Sequence, residues 1–121
     1  MTGDDRESES ISNQRKIIYD FIENSKQDKF LVIDDYIDDG YTGTTFNRPD
    51  FQRMLKDIEN EKINAVITKD LSRLGRDYIM SGYYLENYFK EKNIKYIAIN
   101  DNIDSDDDNS YDMISFRLRL Q

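Results

Sequence analysis

The sequence predicts an α/β fold of three layers built on a mostly parallel sheet. Two observations carry this expectation. Short, fully apolar runs alternate along the chain with longer stretches of helical apolar spacing. Such alternation implies parallel strands joined by crossover helices. In addition, the second apolar run leads into a polar, arginine-bearing turn, where open α/β sheets carry their sites.

Taken in order, Met1 to about Ser10 is a polar, acidic lead-in, with Ser8 or Ser10 placed to cap the helix that follows. From about Ile11 to Lys26, apolar residues at Ile11, Ile18 and Ile22, with Ile17 and Phe21 beside them, predict an amphipathic helix. Phe30-Leu31-Val32-Ile33 predicts a buried strand. The segment from Asp34 to Arg48 contains two glycines and several small polar residues, so it is a loop. Pro49 suits the first turn of a second helix, on which Phe51, Met54, Leu55 and Ile58 share one face.

Ala65-Val66-Ile67-Thr68 predicts the second strand, and Lys69 to Asp77 the polar turn at its end. A third helix is expected from about Asp77 to Lys92, with Leu85, Tyr88 and Phe89 on one side. Tyr96-Ile97-Ala98-Ile99 predicts a third strand, followed by a charged loop from Asp104 to Asp112. The alternation of Ile114, Phe116, Leu118 and Leu120 with polar residues suits a further strand. The chain opens with a helix, whereas such folds normally open with a strand.

A chain of 121 residues is sized for one domain. It has no cysteine, which excludes disulfides and thiolate metal sites, and no histidine, the commonest general base. Chemistry must use carboxylates, hydroxyls, lysines or arginines. The formal net charge of −8 is opposite to that of most stand-alone DNA-binding modules. Contact with nucleic acid would need a local basic cluster or another domain. No apolar run approaches the roughly 20 residues that cross a bilayer, and the N-terminus is not a signal peptide. The expectation is a soluble, cytoplasmic protein with no membrane partner.

Arg73 and Arg76 are three residues apart, so one helical turn places them on one face. With Arg48 they can converge at the sheet edge. Guanidinium groups fit a phosphate bidentately and stabilise the charge of a phosphoryl transition state. The same spacing also suits solvated arginines on an ordinary helix.

Lys69-Asp70-Leu71-Ser72-Arg73-Leu74-Gly75-Arg76-Asp77 resembles the signature turn of serine site-specific recombinases, the resolvase/invertase superfamily. Asp39-Gly40-Tyr41-Thr42-Gly43, with Phe46-Asn47-Arg48-Pro49 and Phe51, resembles the preceding loop and helix start of the large members. Ser10-Ile11-Ser12-Asn13-Gln14 resembles the beginning of their first helix. The three occur in the family's order and cover almost the whole chain.

The resemblance implies a resolvase-type catalytic domain over residues 1–121. It also implies DNA strand exchange for a mobile element, through a covalent phosphoserine link and without metal or nucleotide cofactor. The implied partners are DNA and further copies of the chain, from dimer to tetramer. By motif match, Arg48, Arg73 and Arg76 contact the phosphate, Gln14 lies near the site, and Ser72 holds a supporting position often occupied by aspartate in small relatives.

Three departures accompany the likeness. The family's opening strand, Tyr-x-Arg-x-Ser, which holds the nucleophile, is expected upstream of Met1. Ser72 fits the large branch. The family's assembly helix and C-terminal DNA-binding domains are expected to be missing from this chain, which stops at Gln121. The fragment alone is therefore expected to be inactive, with Ser8, Ser10 and Ser12 serving the helix start rather than the chemistry.

Other readings stay open. Asp104, Asp106, Asp108, Ser110 and Asp112 match alternate positions of a calcium loop, but Asn109 and Ser115 replace its glycine and glutamate, which favours a solvated acidic turn. Asp34-Asp35 is similar to the acidic cluster of a phospho-receiver switch. A non-catalytic protein-interaction domain on the same fold is the remaining alternative.

Overall fold

The computed structural model describes residues 9–25, 29–37, 48–75 and 78–105. The expected lead-in, the glycine loop, Arg76, the acidic turn beyond Ser105 and the tail strand lie outside the described residues.

Helix α1 spans Glu9–Asn24. Its apolar face is half-buried at Ile11, Ile18 and Ile22. Ser10 lies inside the helix, where its hydroxyl accepts from Gln14 Nε2 at 3.2 Å, so it is not the cap. Helix α2, Pro49–Glu59, starts on its proline and buries Phe51, Met54 and Ile58. Each of these side chains contributes about 1.5–3 kcal/mol by leaving water.

Strand β1, Ala65–Thr68, runs into a single helical turn, α3, Leu71–Leu74. Helix α4, Tyr78–Tyr83, continues through a π-helical turn, Tyr84–Tyr88, into α5, Phe89–Glu91. Strand β2 follows at Lys95–Ala98, then a 3-10 turn at Ile99–Asp101 and a short β3, Ile103–Asp104. The sequence reading did not anticipate β3, which falls on residues too polar to show an apolar run.

Among the described residues the sheet has the order β1-β2-β3. β1 pairs parallel with β2, matching Ala65 to Lys95 and Thr68 to Ala98. β2 pairs antiparallel with β3, matching Ala98 to Ile103. The parallel pair requires the crossover that α3, α4 and α5 supply. The core gathers Phe51, Met54 and Ile58 of α2 with Val66, Leu85, Phe89, Tyr96 and Ile103. Phe89 stacks on Tyr96 at 5.6 Å, and Tyr84 meets Phe51 edge-on at 5.2 Å.

α2 and α5 both end in the same way. Lys62 N–H donates to Asp57 O and Glu61 N–H to Ile58 O; Ile94 N–H donates to Phe89 O and Asn93 N–H to Lys90 O. These are paired Schellman bonds around a left-handed residue, Glu61 at φ 58° and Asn93 at φ 58°.

The expected strand at Phe30–Ile33 does not form. The run joins no ladder, and Leu31 is 83% exposed and Ile33 57% exposed. Apolar, β-branched composition supplies a tendency to pair, but a strand needs a neighbour within ladder distance. Here a cleft separates the run from β1. Phe30 approaches Phe21 with tilted rings at 6.5 Å.

Candidate active site

The site lies at the C-terminal end of β1, where the chain leaves the sheet and turns into α3. Four side-chain interactions hold this turn. Thr68 Oγ1 donates to Asp70 O at 2.9 Å and is 2.7 Å from the Tyr96 hydroxyl. Ser72 Oγ donates to Asp70 Oδ1 at 2.6 Å. Asp101 Oδ2, from the 3-10 turn after β2, accepts the Leu71 N–H at 2.7 Å. That last bond satisfies one of the amides left open at the start of α3. Asn100 N–H donates to Lys69 O at 2.7 Å and binds the turn a second time to the 3-10 turn that follows β2. Tyr96 is fully buried, and burial pushes its hydroxyl well above the usual phenol value.

Arg48 is the residue before Pro49 and is buried to 8% exposure. Extended backbone at φ −101°, ψ 140°, which the following proline favours, turns its side chain across to the α3 turn. Its Nη2 donates to Leu74 O and its Nη1 approaches Arg73 O at 3.5 Å. Its guanidinium also lies 5.1 Å from the centre of the Phe51 ring. Ser81 Oγ closes the far side by donating to Gly75 O at 2.9 Å.

Arg73 differs from Arg48. Its side chain is 36% exposed, and its Nε lies 3.8 Å from Asp70 Oδ1. That Nε is buried and has no hydrogen-bond partner.

A cleft of about 730 Å³ opens in front of this turn, between α1, residues 29–37 and β1. Its lining includes Gln14, Arg48, Ser72 and Arg73 as well as the apolar Ile18, Met54 and Val66. Four of the five side chains singled out in the sequence therefore line one cleft. Arg76, the fifth, lies outside the described residues.

Sequence reasoning missed Thr68, Tyr96 and Asp101. The available signal was position: Thr68 and Asp101 both follow apolar runs at strand ends. It also missed a network beside the cleft. Arg53 donates to Asp34 Oδ2, to Asp35 O at 3.0 Å and to Asp50 Oδ2 at 3.3 Å, and its guanidinium lies 4.4 Å from the centre of the Tyr36 ring. Asp50 Oδ2 accepts the Ile37 N–H at 2.7 Å, and the Tyr36 hydroxyl donates to Asp57 at 2.5 Å. Hydrogen bonding to Arg53 holds the Asp34 carboxyl below its usual range. Asp35 pairs with Arg15 at 3.2 Å. The two acids noted for a receiver-like switch are thus engaged in ion pairs, and the run before them is not a sheet strand.

The family model for the resolvase N-terminal domain matches residues 2–118. Among solved structures, the chain is similar to the N-terminal catalytic domain of TP901-1 integrase. The identity is 26%, the TM-score is 0.80, and the match covers 91% of this chain and 82% of that one. No curated protein matches. A family match that spans nearly the whole chain shows that this protein belongs to the resolvase family, with its described residues folded as that family's N-terminal domain.

Proposed function

We propose that this chain is the catalytic part of a large serine recombinase, which exchanges DNA strands at specific sites for a mobile element. The observation that supports this most is that Arg48 and Arg73 line one cleft at the end of β1. Arg73 lines the cleft with a side chain that is 36% exposed, and a phosphodiester oxygen would be met by its planar fork of donors. Arg48 engages the carbonyls behind it and sets the direction of the turn. Arg76 would add a third guanidinium, and Gln14 a neutral donor.

The step itself is transesterification. A serine oxygen bonds to phosphorus, a deoxyribose oxygen leaves with a proton, and the phosphoserine bond keeps the energy for religation. The arginines stabilise charge that grows on the phosphoryl oxygens. No metal or nucleotide is invoked.

Among the described residues lining the cleft, the serines are Ser10 and Ser72. Ser72 already donates its proton to Asp70, and Ser10 sits in α1 beside Gln14. Neither is assigned as nucleophile, so the chain alone is expected not to cut DNA. In the parent enzyme, strand exchange would require DNA-binding domains and assembly from dimer to tetramer.

The test is to supply an opening strand of the form Tyr-x-Arg-x-Ser and C-terminal DNA-binding domains from a relative, then look for protein joined covalently to DNA. An adduct that requires the added serine supports the reading. A folded, DNA-binding protein that forms no adduct would turn the assignment toward a non-catalytic interaction domain.

A further inference from the structure

We propose that Ser81 and Tyr84, set in place by the π-helical turn, are positioning residues for the arginine turn. Ser81 holds the backbone that carries Arg73, and Tyr84 holds the ring that seats Arg48. The turn needs such support, because the last carbonyls of a helix have no partner within it and α3 is a single turn. Three consecutive carbonyls, of Arg73, Leu74 and Gly75, are met by side chains from elsewhere. Arg48 faces the first two, and the Ser81 hydroxyl donates to the third at 2.9 Å.

A serine in mid-helix ordinarily faces water or returns its hydroxyl to the carbonyl four residues back. Ser81 is 1% exposed and reaches instead to Gly75, outside its own helix. The π-helical turn accounts for this placement. Ser81, Leu85 and Phe89 are spaced four apart, and all three are fully buried. In an unbroken α-helix each four-residue step drifts by about 40°, which would carry Ser81 about 80° around from Phe89. Here Phe89 N–H donates to Tyr84 O, five residues back. The wider turn takes up the drift, so the three side chains fall on one buried line. Leu85 and Phe89 fix that line in the core, Phe89 by stacking on Tyr96, and Ser81 is carried against Gly75.

Tyr84 is the first residue of the same π-helical turn. Its ring meets Phe51 edge-on at 5.2 Å, and the Phe51 ring centre lies 5.1 Å from the Arg48 guanidinium. Tyr88, at the end of the π-helical turn, backs Tyr84 at 5.6 Å and donates to Glu59 of α2 at 2.5 Å. One irregular turn therefore reaches the arginines by two routes, directly through Ser81 and indirectly through Phe51. The consequence for DNA chemistry rests on the recombinase reading, whereas the holding of the turn does not.

The first measurement is amide exchange in the 121-residue chain. Arg73 N–H, bonded to Asp70 O, and Gly75 N–H, bonded to Leu71 O, report whether the turn is closed. Ser81→Ala and Tyr84→Leu should each speed both amides by about tenfold and leave Tyr96 and Ala98, buried in β2, unchanged. Tyr84→Phe, which keeps the ring, should match the parent. Parent-like exchange in Ser81→Ala and Tyr84→Leu would overturn the proposal. An equal rise at Tyr96 and Ala98 would do so too, because it would mark a general loss of stability.

The second measurement is the single-turnover rate of covalent adduct formation in the extended recombinase. Ser81→Ala should lower it by about 10- to 100-fold with DNA affinity retained, and should change little once Arg73→Ala has been made. An unchanged rate, or an equal loss in both backgrounds, would overturn the positioning role. If the parent forms no adduct, the recombinase reading falls, and the exchange result still decides whether Ser81 and Tyr84 hold the turn.

Discussion

The guanidinium of Arg48 reaches from the start of α2 to the carbonyl of Leu74, joining segments 26 residues apart in sequence. It ties the start of α2 to the arginine turn. Arg48→Ala would leave the buried carbonyl without its donor, at a cost of about 1–3 kcal/mol in urea unfolding. Arg48→Lys should recover only part, because a point charge cannot span two carbonyls as a planar fork does. A loss too small to measure in both variants would mean that the contact is incidental.

Asp101 holds the other end of that turn through the Leu71 amide. Asp101→Ala should cost about 1 kcal/mol and speed amide exchange at Leu71, while Asp101→Asn, which keeps an acceptor, should retain most of the protection. Equal exchange in all three forms would remove Asp101 from the account.

Tyr96 predicts an alkaline effect. Burial, its largest influence, raises the hydroxyl above its ordinary value of 10.0, against the lowering effect of the Thr68 hydrogen bond. A group with a raised folded pKa contributes stability that is full below its unfolded pKa and lost as pH rises beyond it. The protein should therefore lose stability progressively above about pH 10. Tyr96→Phe should be less stable by about 1 kcal/mol at pH 7 and flatter above pH 10. Parallel pH profiles for the two proteins would contradict this.

The helices and two of the strands were legible because each has a local signature. Pro49 fixed the start of α2, and Phe51, Met54 and Ile58 gave its buried face. Ala65–Thr68 and Lys95–Ala98 were visible as apolar runs within a residue of their ends. Phe30–Ile33 has an equal signature and forms no strand, because pairing depends on a neighbour the local pattern does not encode. β3 was hidden for the opposite reason: it is a short edge set by β2, not by its own composition. Within the site, charged residue types marked Arg48 and Arg73. Thr68, Tyr96 and Asp101 act through contacts made by residues distant in sequence, which no spacing rule reveals.

Acid should act through Arg53. Its hydrogen bonds hold Asp34 below the usual value of 3.8. At Asp50, burial pushes upward, but Arg53 and the Ile37 amide outweigh it and the carboxyl is also lowered. Depressed carboxylates stabilise the fold above their unfolded pKa and lose that effect as pH falls through the folded one. Arg53→Ala should therefore melt lower than the parent at pH 7, and the gap should close below about pH 4. A gap independent of pH would point to lost packing on Tyr36 instead.

Glu61 adopts the left-handed conformation at the end of α2 with a side chain that this geometry disfavours. Glu61→Gly should relieve about 1 kcal/mol, partly offset by the freer unfolded chain. A net gain in chemical denaturation is expected; a loss would show that Glu61 makes compensating contacts.

The most direct test of the phosphate assignment is the single-turnover rate of covalent adduct formation in the extended recombinase, comparing Arg73→Ala with the parent on the same DNA site. If Arg73 meets the phosphoryl oxygens in the transition state, the rate should fall by about 100- to 1,000-fold while DNA binding stays close to that of the parent. Equal rates would contradict the assignment and leave Arg73 as an ordinary surface arginine on α3.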